Sequence, residues 1–142
     1  MAQGKQKHRF ETYAELEAAA SDGELKESLV RRLDLATLRM EGSRFLDLDF
    51  EEVGLGGAMM REAVLVDCRL SGVAMRGVRL DSSHMEATTF RSCEGMEASF
   101  QGAELVNCRF EETPLGNANF SGAEVIGVVF SAAELYGAHF GG

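Results

Sequence analysis

Tryptophan is absent from this 142-residue chain, and proline occurs once, at Pro114. No apolar run is long enough for a membrane-spanning helix, so that class of segment is excluded. The opening MAQGKQKHRF is polar and basic with no apolar stretch behind it, so it does not read as a secretory signal. Cysteine is scarce and odd in number: Cys68, Cys93 and Cys108, with no C-x-x-C spacing. That pattern argues against a disulfide framework and against a structural zinc site. Basic residues are also short, 14 Lys and Arg against 23 Asp and Glu, for a formal net charge of −9. The imbalance argues against a general nucleic-acid binder and suits a partner with a basic surface. These absences lead to the expectation of a single soluble cytoplasmic domain without cofactor, metal, nucleic-acid or membrane partner.

Glycine is abundant, at 16 residues, which fits many similar tight turns. From Leu35 to Phe140 every fifth residue is large and apolar at 21 of 22 positions, Gly95 being the exception. A composition that is 45% hydrophobic would give about ten by chance. A second series lies two residues earlier and is small or β-branched, as in Ala63, Cys68, Val73, Thr88 and Ala103. Two residues after the large one the chain often has glycine, as at Gly42, Gly57, Gly77 and Gly102. A period of five fits neither the 3.6 of an α-helix nor the 2.0 of a simple strand. Leucine-rich repeats and collagen need other spacings.

The order small–polar–large–polar–glycine resembles the pentapeptide-repeat family, whose units are written A(D/N)LXX. Residues 103–107 (AELVN), 118–122 (ANFSG), 123–127 (AEVIG) and 133–137 (AELYG) carry the resemblance. Residues 42–50 and 55–60 keep the core slots but, Asp49 before Phe50 apart, lack the family's Asp or Asn before the large residue. The resemblance implies an all-β solenoid, a right-handed quadrilateral parallel β-helix of about five coils, with one pentapeptide per side. Large and small series would point inward, and residues 20 apart would stack on one face about 4.8 Å apart. Each buried large side chain then contributes roughly 1.5–3 kcal/mol. The cysteines fall in the small inward slot, where free Cys acts as a small hydrophobe. Cys68 and Cys108 lie two coils apart, roughly 10 Å by strand spacing, beyond disulfide reach.

Residues 12–29 have a different texture. Thr12 with Glu15, and Ser21 with Glu24, match capping boxes. They predict two short helices that cap the first coil, after a mobile tail over 1–11 and before the β-helix over 30–142. At the other end Phe140 fills the last core slot and only two glycines follow. An uncovered coil predicts stacking on a second copy, giving a homodimer through the C-terminal coil, or on another protein. At Gly95 the inward slot is empty, and a Leu-sized hole would cost roughly 2–5 kcal/mol. Met75 leaning in, or Met96 turned inward through a bulge, would fill it; Met96 is the sharper expectation. Pro114 stacks over Glu94 and cannot donate to the ladder, so Gly95, Met96 and Pro114 mark a candidate irregular coil.

No arrangement of nucleophile, base and acid follows from the repeat positions, and the expectation is a protein that is not an enzyme. His8, His84 and His139 read as solvated surface residues. Two outward sets are candidate surfaces. Leu46, Val64, Val66, Val106 and Ile126, with Phe140 at the open coil, form a candidate interface. Asp47, Asp67, Glu86, Glu104 and Glu124 form a candidate acidic surface. The first functional expectation is a rigid scaffold for an unidentified protein partner. The alternative, implied by the family resemblance, is an acidic mimic of B-form DNA that binds DNA gyrase or topoisomerase, as in quinolone resistance. The basic residues between the acids, and the lack of the C-terminal helical module of such mimics, weigh against the alternative.

Overall fold

The computed structural model describes residues 7–141 of the chain. It is a parallel β-solenoid of about six turns with a short N-terminal helix. Elements run β1 (His8–Phe10), α1 (Tyr13–Ala20), β2 (Glu24–Arg31), β3 (Arg44–Glu51), β4 (Val64–Val66), β5 (Arg69–Ser71) and β6 (His84–Glu86). They continue with β7 (Thr89–Arg91), β8 (Glu104–Val106), β9 (Arg109–Glu111), β10 (Glu124–Ile126) and β11 (Val129–Ser131). The sheet order is β10-β8-β6-β4-β3-β5-β7-β9-β11, with β3 turning the corner between two sides. Every register joins residues 20 apart, such as Leu65 with Met85 and Phe90 with Phe110. The other two sides are held by single bridges, among them Ala74 with Glu94 and Ser99 with Asn119.

A left-handed residue at each corner makes the period of five. From Glu27 to Gly137 every fifth residue has positive φ except Thr37. Such a φ costs a residue with a Cβ roughly 1–2 kcal/mol, which explains the glycine enrichment two after the large residue. At Gly127 a Cβ would also collide with the Asn107 carboxamide of the coil before. At Thr37 the turn is built differently: Asp34 Oδ1 accepts from the Ala36 N–H at 3.0 Å, and Leu38 fills the small slot.

The large series meets along the axis. Phe90 and Phe110 stack with centroids 4.7 Å apart, and Phe100 and Phe120 at 4.8 Å, so the coil spacing is written into the rings. The small slot has a polar task as well. Cys68, Thr88 and Cys108 donate to the carbonyls of Phe45, Leu65 and Met85 at 3.2, 3.3 and 3.4 Å. Cys93 and Thr113 do the same for Leu70 and Phe90. These side-chain donors add to the backbone ladder at the corners and satisfy the buried hydroxyl and thiol groups themselves. All three cysteines are free and buried, and burial pushes Cys68 up to about 11 and the other two upward.

The N-terminal expectations change. Residues 1–6 of the expected tail lie outside the described residues, but His8–Phe10 is a strand paired with β2, and Phe10 is buried. The first helix is present, with Thr12 Oγ1 accepting from the Glu15 N–H at 3.2 Å. The second is not: Glu24–Arg31 is β2, paired with β3 over seven residues. Leu25 and Val30 already keep the period of five, pairing with Phe45 and Phe50. A full parallel ladder outweighs an isolated short helix, which is marginal alone. The solenoid therefore begins earlier than expected and has about six turns instead of about five.

The Gly95 expectation is also corrected. Leu115, from the next coil, leans into the slot: a Cβ on Gly95 would sit 2.7 Å from its Cδ2 and 3.0 Å from the Pro114 carbonyl. Met96 stays outside, half-buried, near Gly116. The Gly95 backbone keeps the ladder, donating to Pro114 O at 2.9 Å. The irregularity lies one coil on. Gly54, Ala74 and Glu94 donate to the carbonyls of Leu33, Val53 and Val73, whereas Pro114 has no N–H to continue the series. Above it Glu134 takes a φ of 45°.

Candidate functional site

The side built by β3, β4, β6, β8 and β10, together with the first half of β2, carries two outward columns. The registers align Glu24, Arg44, Val64, His84, Glu104 and Glu124 in one, and Lys26, Leu46, Val66, Glu86, Val106 and Ile126 in the other. Five of the six residues of the sequence-predicted interface and three of the five predicted acidic residues thus stand on one face. The corner residues Asp47 and Asp67 border it. Leu46, Val64, Val66 and Val106 are half-buried, and Ile126 is 56% exposed. The matching column on the next side reads Arg31, Glu51, Ser71, Arg91, Glu111 and Ser131, without an aliphatic residue. The run of aliphatic residues in one column is therefore a property of this face and not of the next.

Charge on the face is arranged unevenly. Asp47 is neutralised by Lys7 at 3.0 Å and Arg69 at 3.1 Å, whose hydrogen bonds hold its carboxyl below the ordinary value. Arg44 pairs with Glu24 at 3.3 Å. Beyond Arg44 the two columns hold no Lys or Arg. Past Arg44, Glu86 and Glu104 meet His84, whose Nδ1 is 3.2 Å from Glu104 and Nε2 3.7 Å from Glu86. Sequence reasoning passed over His84 as a solvated residue. Its spacing of 20 from Glu104 places the two in adjacent coils, and that was the available signal.

The remaining predicted residues lie elsewhere. Phe140 stacks on Phe120 with centroids 4.8 Å apart and is 48% exposed on the neighbouring side. Gly95, Met96 and Pro114 are on the opposite side. The last coil concentrates exposed apolar residues: Val125, Ile126, Val129, Leu135, Tyr136 and Phe140. Met59 is the one other large exposed hydrophobic among the described residues. On the side bearing Phe100, Asp81 is buried. Burial pushes its carboxyl up, but hydrogen bonds from Ser99 Oγ and from Arg79 Nη2, the latter at 2.8 Å, outweigh it and hold it below the ordinary value. Among the described residues no cluster of three His, Cys, Asp or Glu side chains is placed to hold a metal ion. No described helix is long and apolar enough to cross a membrane.

A solenoid of parallel coils with inward large residues every fifth position defines a class of repeat protein whose interior is filled by side chains. The chain belongs to the pentapeptide-repeat family: the family model described as pentapeptide repeat region matches residues 63–140, more than half of its length. No curated protein is a significant sequence match. Among solved structures it is similar to full-length QnrB1, titled a plasmid-mediated fluoroquinolone resistance protein, with 16% identity and a TM-score of 0.54. That match covers 82% of this chain and 81% of QnrB1. It also matches Rfr23 from the cyanobacterium Cyanothece 51142, at 17% identity and a TM-score of 0.37, over 88% of this chain and 92% of Rfr23. HetL from Nostoc sp. strain PCC 7120, titled as involved in heterocyst differentiation regulation, matches at 19% identity and a TM-score of 0.36. That alignment spans 82% of this chain and 65% of HetL. At these identities the QnrB1 likeness shows the fold alone.

Proposed function

We infer that the chain is a non-catalytic, cytoplasmic pentapeptide-repeat scaffold that binds another protein through its outer surface. The observation that carries this reading is the union, on one face, of the aliphatic column with Glu86, Glu104 and Glu124, beside which the two columns place no Lys or Arg past Arg44. The interior is filled by side chains, so the outer faces are what the fold offers to a partner. A pull-down from cells with the immobilised chain tests the reading. A partner retained by the wild type and lost with V66K/V106K supports it; failure of either chain to retain any protein above a blank matrix contradicts it.

The exposed apolar residues of the last coil support an additional contact, in which a second copy covers Val125, Phe130, Leu135 and Phe140. Sedimentation velocity should then show a dimer that F130K/F140K dissociates, and a monomer at every concentration would exclude it. A second reading, mimicry of B-form DNA toward gyrase, is favoured by charge placement. Residues 80–142 hold nine acidic and two basic residues, against 14 and 12 in residues 1–79. Micromolar protein should then alter supercoiling by purified gyrase; an unchanged topoisomer ladder removes this reading.

A further inference from the structure

Three features of the aliphatic and acidic face restrict what covers it, given the scaffold reading above. The first is backbone saturation. β4, β6 and β8 are each paired on both sides, so a partner cannot extend the sheet along this face and must bind through side chains. The second is spacing. With stacked rings recording 4.7 and 4.8 Å per coil, Val66 and Val106 are two coils apart and Val106 and Ile126 one. Two coils and one coil are about 9.6 and 4.8 Å, close to the roughly 10.5 and 4.5 Å that separate i from i+7 and i+7 from i+10 along an α-helix. The third is charge. Glu86 interrupts the apolar column between Val66 and Val106, and Glu104 and Glu124 flank it, with no Lys or Arg in either column beyond Arg44.

We propose that this face binds a basic amphipathic helix of a partner protein, laid along the solenoid axis. The helix presents apolar residues at i, i+7 and i+10 to Val66, Val106 and Ile126. A Lys or Arg at i+3 or i+4 meets Glu86, and further cations along one flank meet Glu104 and Glu124. His84 stands between Glu86 and Glu104 and yields to the incoming cations. Contacts are apolar along the centre and ionic at the flank, so both apolar and charge changes should weaken the complex.

The probe is an 18-residue helix-forming peptide with Leu at the three contact positions and Lys at the acid-facing ones, titrated by fluorescence anisotropy against the full chain. A second peptide replaces the three Leu by Ser at constant charge. The Leu peptide should bind at micromolar concentration and the Ser peptide at least tenfold more weakly. The isosteric V66T/V106T, with unchanged thermal melting, should weaken binding at least fivefold. E86Q/E104Q should do likewise and flatten the salt dependence, whereas E111Q/E112Q on the next face, with the same charge change, should shift binding less than twofold. Equal losses in the two glutamine pairs, equal binding of the two peptides, or no binding at micromolar concentration overturns the proposal. If that happens while a cellular partner is still retained through another face, the assignment of the face fails and the scaffold reading survives.

Discussion

The first and the last described coils use their surface groups differently. At the N-terminal end α1 lies over the first coil, β1 adds a strand, and ion pairs tie neighbouring coils. Arg31 meets Glu51 at 3.0 Å, Arg32 meets Glu52 at 3.3 Å, and Lys7 and Arg69 enclose Asp47. In the last described coil the core rings continue in stack, but Phe140 is 48% exposed, and charge is nearly all acidic from Leu80 onward. The first region uses its surface groups on itself. The second leaves apolar and acidic groups unspent, and those are the groups a partner can use. Pairing of surface groups is thus uneven along one repeat.

The comparison is broken most strongly in the regular core. Phe110 is fully buried among Phe90, Phe100, Phe120 and Phe130. F110A should cost about 3–5 kcal/mol in denaturant unfolding, and F140A, at a half-exposed ring, well under half of that. G95A should cost about 1–3 kcal/mol, because its Cβ would displace Leu115 and crowd the Pro114 carbonyl. A neutral G95A would mean that Leu115 moves freely. T88V should cost about 1 kcal/mol by removing the hydroxyl's hydrogen bonds to the Leu65 and Glu86 carbonyls. K7A should change stability by less than about 1 kcal/mol, and added salt should erase the difference.

One pH effect sharpens the same contrast. Asp47 and Asp81 both ionise more readily folded than unfolded. Their contribution is complete above the unfolded carboxylate value of about 4 and is lost as pH falls through the lower folded values. D81N should therefore lose less stability than the wild type between about pH 4 and pH 2, monitored by thermal melting. A steeper loss in D81N would contradict the assignment.

Most of the fold was legible because a period of five has one physical meaning: an inward large residue and a left-handed corner on each side. The errors arose where local signals competed with that period. Ser21 and Glu24 resemble a helix start, but Leu25 and Val30 were in phase and the ladder prevailed. Gly95 resembles a defect when read along the chain. Across coils it is the space Leu115 needs, and a rotamer in the next coil is invisible to a linear pattern. The candidate face was half legible. Its aliphatic and acidic residues were found as separate sets, since numbers differing by 20 reveal a shared face only once register is fixed. The neutralisation of Asp47 was hidden, because Lys7 lies in a segment with no repeat pattern of its own.

Backbone amide shift mapping with the Leu and Lys peptide tests the central claim most directly. The account predicts perturbations confined to 64–66, 84–86, 104–106 and 124–126. Perturbations centred on 69–71 and 89–91, or in the N-terminal coil, would contradict it.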